Sequence, residues 1–267
     1  MALRGLALHT WTLDTTPLSD VLRIARDVGW NAIELRRIDF ARAAAAGTPP
    51  AAVLDAVTAS GLPVACVGVE LGWMGAAGDE RRRLLSVFDE SCRWASTLGC
   101  STVMSPVDKG VGDAERAIAS IREVGDIAER HGVRLALEFN ALCEYWNTLP
   151  RVRDLVRRAG HPGCGLLLDT YHLGKSGARP DALDELDPRE IAYVQFSDVP
   201  RAPAPGVFTD RLPPGQGTVP FREIFERIAK KAYAGYMSYE APNPSAWARD
   251  PAEVAREALE ATRARLP

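Results

Sequence analysis

Four oxygen-bearing side chains stand at the ends of four short apolar runs. Leu135-Ala-Leu ends in Glu138, Leu166-Leu-Leu in Asp169, Ala192-Tyr-Val in Gln195 and Tyr236-Met-Ser-Tyr in Glu240. A carboxylate at the end of a buried strand carries a heavy desolvation cost unless it is paired or protonated. Taken singly, Glu138 could pair with a neighbouring Arg, and Gln195 could hydrogen-bond a loop. Four such residues on consecutive strand ends point instead to one shared cation. Three carboxylates and an amide oxygen make an all-oxygen set, which suits Mg²⁺ or Mn²⁺ better than a structural zinc. Co²⁺ or Zn²⁺ are further candidates. The expected ligands of one divalent ion are therefore Glu138, Asp169, Gln195 and Glu240.

The chemistry of such a site is proton transfer beside a carbonyl. A metal chelating a carbonyl and an adjacent hydroxyl acidifies the C–H between them. A carboxylate in reach then removes the proton. Glu138 and Glu240, from different sides of the ligand ring, are the expected proton-transfer pair. His172, three residues after Asp169, is the expected donor to a substrate oxygen, or the acid that expels a hydroxyl; its alternative role is to orient a ligand.

These residues converge only if the strands close into a ring. Strand-like and helix-like segments alternate along the chain. The strands are expected at Gly5 to Thr10, Asn31 to Leu35, Pro63 to Val69, Ser101 to Ser105, Val133 to Glu138, Gly165 to Asp169, Ile191 to Gln195 and Gly235 to Glu240. Helices follow each, with Thr16-Pro17, Thr48-Pro49 and Asp250-Pro251 as starts and Gly29 and Gly61 as stops. The helix after strand six is expected to be short, from Pro180 to Leu186. Near-continuous apolar strands mean both sheet faces are covered. Eight βα units in 267 residues predict a single-domain (β/α)₈ TIM barrel, with the strand C-termini opening onto one face. An open doubly wound sheet is the alternative, but no Gly-rich phosphate fingerprint follows any strand.

The barrel mouth gathers further candidates. His9 and Glu34 end strands one and two. Trp11, Trp73, Trp146 and Trp247 lie on the loops after strands one, three, five and eight and are expected to wall the pocket. The loop from Ser197 to Val219 carries Pro200, Pro203, Pro205, Pro213 and Pro214, and a loop of that length in a compact domain is usually functional. His131 and His161 precede strands five and six, on the opposite face, and are expected to be structural.

Bulk composition excludes several classes. With 46% hydrophobic and 25% charged residues and a net charge of −3, the chain makes no electrostatic case for nucleic acid or an anionic membrane. The five cysteines lack metal-binding or redox spacing and read as buried reduced thiols. No long uncharged apolar stretch and no leader pattern are present, so a cytoplasmic location is expected. The expected partner is a small-molecule substrate, with a homo-oligomer possible.

The motifs Leu135-Ala-Leu-Glu138, Leu168-Asp169-Thr-Tyr-His172, Val194-Gln195-Phe-Ser-Asp198, Arg211-Leu-Pro-Pro-Gly215-Gln-Gly217 and Tyr239-Glu240 resemble the xylose-isomerase-like TIM-barrel superfamily of sugar and keto-acid isomerases, epimerases and dehydratases. The resemblance spans nearly the whole chain and implies the same four ligands. Gln195 is similar to the hydroxypyruvate isomerase and 3-dehydroshikimate dehydratase branches, whereas the ketose 3-epimerase branch has His there. Glu144, six residues after the first ligand, is similar to the epimerase branch and is implied to bind substrate. An Arg before a Pro-Gly turn holds substrate oxygens in that branch; Arg211 fits this better than Arg201. The implied function is a metal-dependent isomerase or epimerase of a small hydroxy-carbonyl compound, a sugar or hydroxy-keto acid, acting through an enediolate. A dehydratase of the 3-dehydroshikimate type is the alternative. An apurinic-site endonuclease, which would need many His ligands, and a binding protein that kept the fold are less favoured.

Overall fold

The computed structural model describes residues 3–203 and 206–267; Pro205 lies outside the described residues. Eight strands, β1 (Gly5–His9), β2 (Ala32–Leu35), β3 (Val64–Gly68), β4 (Thr102–Pro106), β5 (Arg134–Glu138), β6 (Cys164–Asp169), β7 (Ile191–Phe196) and β8 (Tyr236–Tyr239), are laid down in chain order. All pair in parallel, and β8 pairs with β1 to close the ring. The outer helices are α1 (Leu18–Val28), α2 (Arg37–Ala45), α3 (Pro50–Ala59), α4 (Gly78–Thr97), α5 (Ala114–Arg130), α6 (Leu149–Ala159), α7 (Thr170–Lys175), α8 (Phe221–Lys230), α9 (Pro244–Trp247) and α10 (Pro251–Arg263). The TIM barrel expected from the alternation is present.

Alternation along each strand decides what faces the barrel axis. Leu6, Leu8, Leu135, Leu137, Leu166 and Leu168 face the helices and join the large outer core. The other parity, Ala7, Ala32, Ala136, Leu167, Tyr193 and Tyr236, forms a separate small cluster that fills the barrel. Two residues further along the same parity come His9, Glu34, Glu138, Asp169, Gln195, Ser238 and, just past β8, Glu240. One pleat phase therefore delivers all of them to the C-terminal end of the ring, and the strand register sets their neighbours: His9 pairs with Glu34, Asp169 with Gln195, and Gln195 with Ser238.

Two segments differ from the sequence expectation. Helix α2 was not foreseen. Its only deeply buried apolar residue is Phe40, so no apolar period marks it. The Arg36 N–H donating to Asp39 at 2.8 Å, followed by an alanine-rich run, holds it instead. After β6 the chain turns at once into α7, and the expected helix at 180–186 is only a 3₁₀ turn, Pro180–Leu183. Asp169 caps α7 through its own side chain, accepting the Tyr171 N–H at 2.8 Å. All five cysteines are buried free thiols. Among the described residues, no helix is long and apolar enough to cross a membrane.

Candidate active site

At the C-terminal end of the ring a cavity of about 670 Å³ opens, lined at its floor by His9, Glu138, His172, Arg211 and Glu240. Asp169 and Gln195 lie just beneath and have no solvent exposure. Burial is the first reason the proton affinities here are abnormal. It pushes the Glu138 carboxyl well above its usual range, helped by the Asp169 and Glu240 charges. Burial likewise raises Glu240, against the pull of Arg211. His172 is lowered to about 4 by burial and His9 falls well below its ordinary value for the same reason, so both rings are neutral at pH 7.

His172 meets donors on both ring nitrogens: the Ala141 N–H lies 3.3 Å from Nδ1 and Arg211 Nη2 lies 3.4 Å from Nε2, and Nε2 is 3.8 Å from both Glu138 Oε1 and Asp169 Oδ2. His9 Nδ1 accepts the Trp11 N–H at 3.0 Å, and its Nε2 lies 3.4 Å from Glu240 Oε1. The His9 imidazole therefore presents a donor to Glu240. Glu138, Asp169 and His172 offer atoms within 4.8 Å of one another, a group able to hold a metal ion.

The cation that the structure places on this floor is Arg211. Its Nη1 donates to Asp169 Oδ2 at 2.8 Å and to Glu240 Oε2 at 2.7 Å, and its guanidinium lies 4.3 Å from the centre of the Tyr171 ring. Arg pairing of the acids, which the sequence weighed as the alternative to a shared metal ion, is thus realised for two of the four expected ligands. It is not realised for the others. Glu138 Oε1 and Gln195 Oε1 are buried without a hydrogen-bond partner. An unpartnered carboxylate oxygen and amide oxygen at the same rim are acceptors suited to a divalent cation. The residues present therefore fit a divalent cation.

Arg211 is held by the proline-rich loop after β7. Asp198 is the hub. Its Oδ1 accepts the Val199 and Val219 N–H groups at 2.9 and 2.8 Å, and its Oδ2 accepts those of Gly215 and Gly217, both at 2.8 Å. Its backbone also bridges to Leu212, fixing the residue next to Arg211. Asn243 Nδ2 donates to the Arg211 carbonyl at 3.0 Å. These positioning residues were missed, although Asp198 ends the motif Val194-Gln195-Phe-Ser-Asp198 and was therefore visible. Gly217 is required by close approach: a Cβ there would collide with the Val199 carbonyl oxygen and the Asp198 carboxylate. Gly217→Ala is expected to destabilise the protein by about 1–3 kcal/mol and to expose the 206–219 loop to limited proteolysis. A denaturation midpoint and a cleavage pattern both equal to wild type would refute this.

Several expected site residues lie elsewhere. Glu144 is exposed and does not line the cavity, because the 140–147 loop turns its side chain to solvent; the structure does not bring it to the floor. Arg201 is exposed, whereas Arg211 is buried. Glu34 lies under the floor instead of lining the pocket: fully buried, it accepts from Gln195 Nε2 at 2.8 Å and from Tyr193 at 3.1 Å. Of the four tryptophans only Trp11 lines the cavity. Trp73 is fully buried with its N–H on Ser105, Trp146 packs against the core, and Trp247 donates to the Trp11 carbonyl. The cavity wall also holds Arg36, Arg37, Lys109 and Phe208; Arg37 starts the unforeseen α2 and Arg36 caps it. His131 and His161 pair with Asp89 and Asp126, away from the mouth as expected.

With the closed barrel and its acidic floor in hand, residues 22–265 match the family described as xylose isomerase-like TIM barrel. The chain belongs to that family. Among relatives of this xylose isomerase-like barrel, a 3-dehydroshikimate dehydratase of Pseudomonas putida is 30% identical over 146 residues, 54% of this chain and 22% of that enzyme. An inosose isomerase of Bacillus velezensis is 27% identical over 193 residues, 68% of each chain. The chain therefore spans less than a quarter of the dehydratase and about two thirds of the isomerase. A solved structure of the IOLI protein with a binding zinc atom superposes with a TM-score of 0.88 at 20% identity, covering 98% of both chains, a likeness of fold.

Proposed function

We propose that this barrel is a divalent-metal-dependent isomerase or epimerase of a small hydroxy-carbonyl compound. The observation that carries the reading is the pair Glu138 and Glu240, two buried carboxyls on one cavity floor, with Glu138 Oε1 left unpartnered. When bound, the ion would be held by Glu138, Asp169, Gln195 and Glu240 and would acidify the C–H beside a substrate carbonyl. Glu138, with one oxygen free of hydrogen bonds, takes that proton to leave an enediolate. Glu240 or Glu138 returns a proton to the neighbouring carbon or to the opposite face. His172 and the Arg211 guanidinium hold the substrate oxygens, and Trp11 and Phe208 exclude water. Isomerase relatives support the reading.

Dehydration is the second reading. The neutral His172 ring near Glu138 could protonate a departing hydroxyl, and one relative is a dehydratase. Chelator treatment followed by Mn²⁺ is expected to abolish and then restore turnover on a panel of ketoses, inososes, hydroxypyruvate and dehydroshikimate. In D₂O an isomerase or epimerase builds deuterium at the carbon beside the carbonyl. A dehydratase loses water and gains an ultraviolet absorbance. Absence of metal-dependent proton exchange or water loss on every member of the panel would overturn both readings.

A further inference from the structure

Gln195 is a symmetric-looking amide in a place where its two ends must differ. To serve a cation it must turn Oε1 to the cation and Nε2 away. Nothing in Gln195 itself decides this. Its own strand neighbours offer Asp169 on one side and Ser238 on the other, and a carboxylate such as Asp169 would attract the NH₂ end into the site. The group that decides is Glu34. It is fully buried, and its two oxygens take Gln195 Nε2 at 2.8 Å and the Tyr193 hydroxyl at 3.1 Å. With the nitrogen held there, the oxygen on the other side of the amide carbon is left buried and unpartnered.

We propose that Glu34 is a positioning residue whose Oε1 holds the Gln195 amide nitrogen and thereby presents the amide oxygen to the cation site. The inference rests on the metal-site reading above. It explains why an acid sits beneath the floor, where it touches no substrate. A flipped Gln195 would give up the 2.8 Å bond from its Nε2 to Glu34 Oε1 and would aim an N–H at the cation. Orientation of a ligand by a buried partner typically governs affinity roughly 10- to 100-fold.

The test is Mn²⁺ binding to the chelator-stripped full chain, followed by electron paramagnetic resonance and calorimetry without any substrate. Glu34→Leu is expected to weaken Mn²⁺ binding by about 10- to 100-fold, while Glu34→Gln, which keeps an acceptor, stays within a few-fold of wild type. Gln195→Ala should lose a similar factor, and the double variant Glu34→Leu/Gln195→Ala should lose no more than Gln195→Ala alone. Should Glu34→Leu fail to fold, Tyr193→Phe removes one donor that fixes the same carboxyl group and is expected to weaken binding several-fold. Additive losses in the double variant, or wild-type affinity in Glu34→Leu and Tyr193→Phe, would overturn the role of Glu34 while leaving the metal site standing. Failure of the wild-type chain to bind Mn²⁺ would remove the metal site and this inference together.

Discussion

Glu138→Gln is expected to lower kcat by about 10²- to 10⁴-fold at saturating metal without unfolding the barrel. The substitution keeps the shape of the side chain at the end of β5 and removes only its ability to take a proton. Glu138 is buried, has one oxygen with no partner, and holds its proton more tightly than an ordinary carboxyl because burial and the nearby Asp169 and Glu240 charges disfavour its ionised form. A bound cation would favour the ionised form, leaving Glu138 able to take a proton. The same burial means that the metal-free variant should be no less stable than wild type, since a costly buried acid has become neutral. Steady-state kinetics over a metal titration, with a thermal midpoint for each protein, decides the matter. Unchanged kcat would remove Glu138 from the chemistry; a lost fold would mark it as structural.

Arg211→Met should give the largest loss of stability. It removes the one guanidinium that serves both Asp169 and Glu240 and strands two buried carboxylates. Breaking a buried pair from one side costs about 3–5 kcal/mol. The loss should shrink when a divalent ion is supplied. In wild type an entering ion competes with Arg211 for Asp169 Oδ2 and Glu240 Oε2; in the variant it meets acids with no other partner. Mn²⁺ is therefore expected to raise the thermal midpoint of Arg211→Met by more than it raises that of wild type, because whatever binds only the folded state stabilises it. Equal shifts in the two proteins would show that the ion and the arginine do not share ligands. Turnover should fall as well, since the same guanidinium faces the cavity.

These two outcomes depend on different parts of the reading. The first concerns an acid legible from the chain alone: a run of apolar residues stopping at a carboxylate is a local pattern. The second concerns an ion pair spanning 42 residues between Asp169 and Arg211. Arg211 stood out in sequence only by its place before a glycine turn, and that marked it as a substrate contact. That it rests on two expected ligands follows from Asp198 gathering four backbone N–H groups and from the Leu212 bridge, and neither is a local property. Glu144 shows the converse. Its spacing from Glu138 was suggestive, but a loop of eight residues can turn a side chain outward, and this one does.

The alternation of apolar runs with capped helices determined the barrel, and the pleat parity within each run determined that Glu138, Asp169, Gln195 and Glu240 reach one rim. Both follow from short-range geometry: a period of two along strands, 3.6 along helices, and a fixed direction from strand to helix. Tertiary structure alone decided which acid pairs with Arg211, which keeps an unpartnered oxygen, and which way the Gln195 amide is turned. Those outcomes depend on angles and distances of a few tenths of an ångström between groups from different strands and loops, and no pattern within a single stretch of chain encodes them.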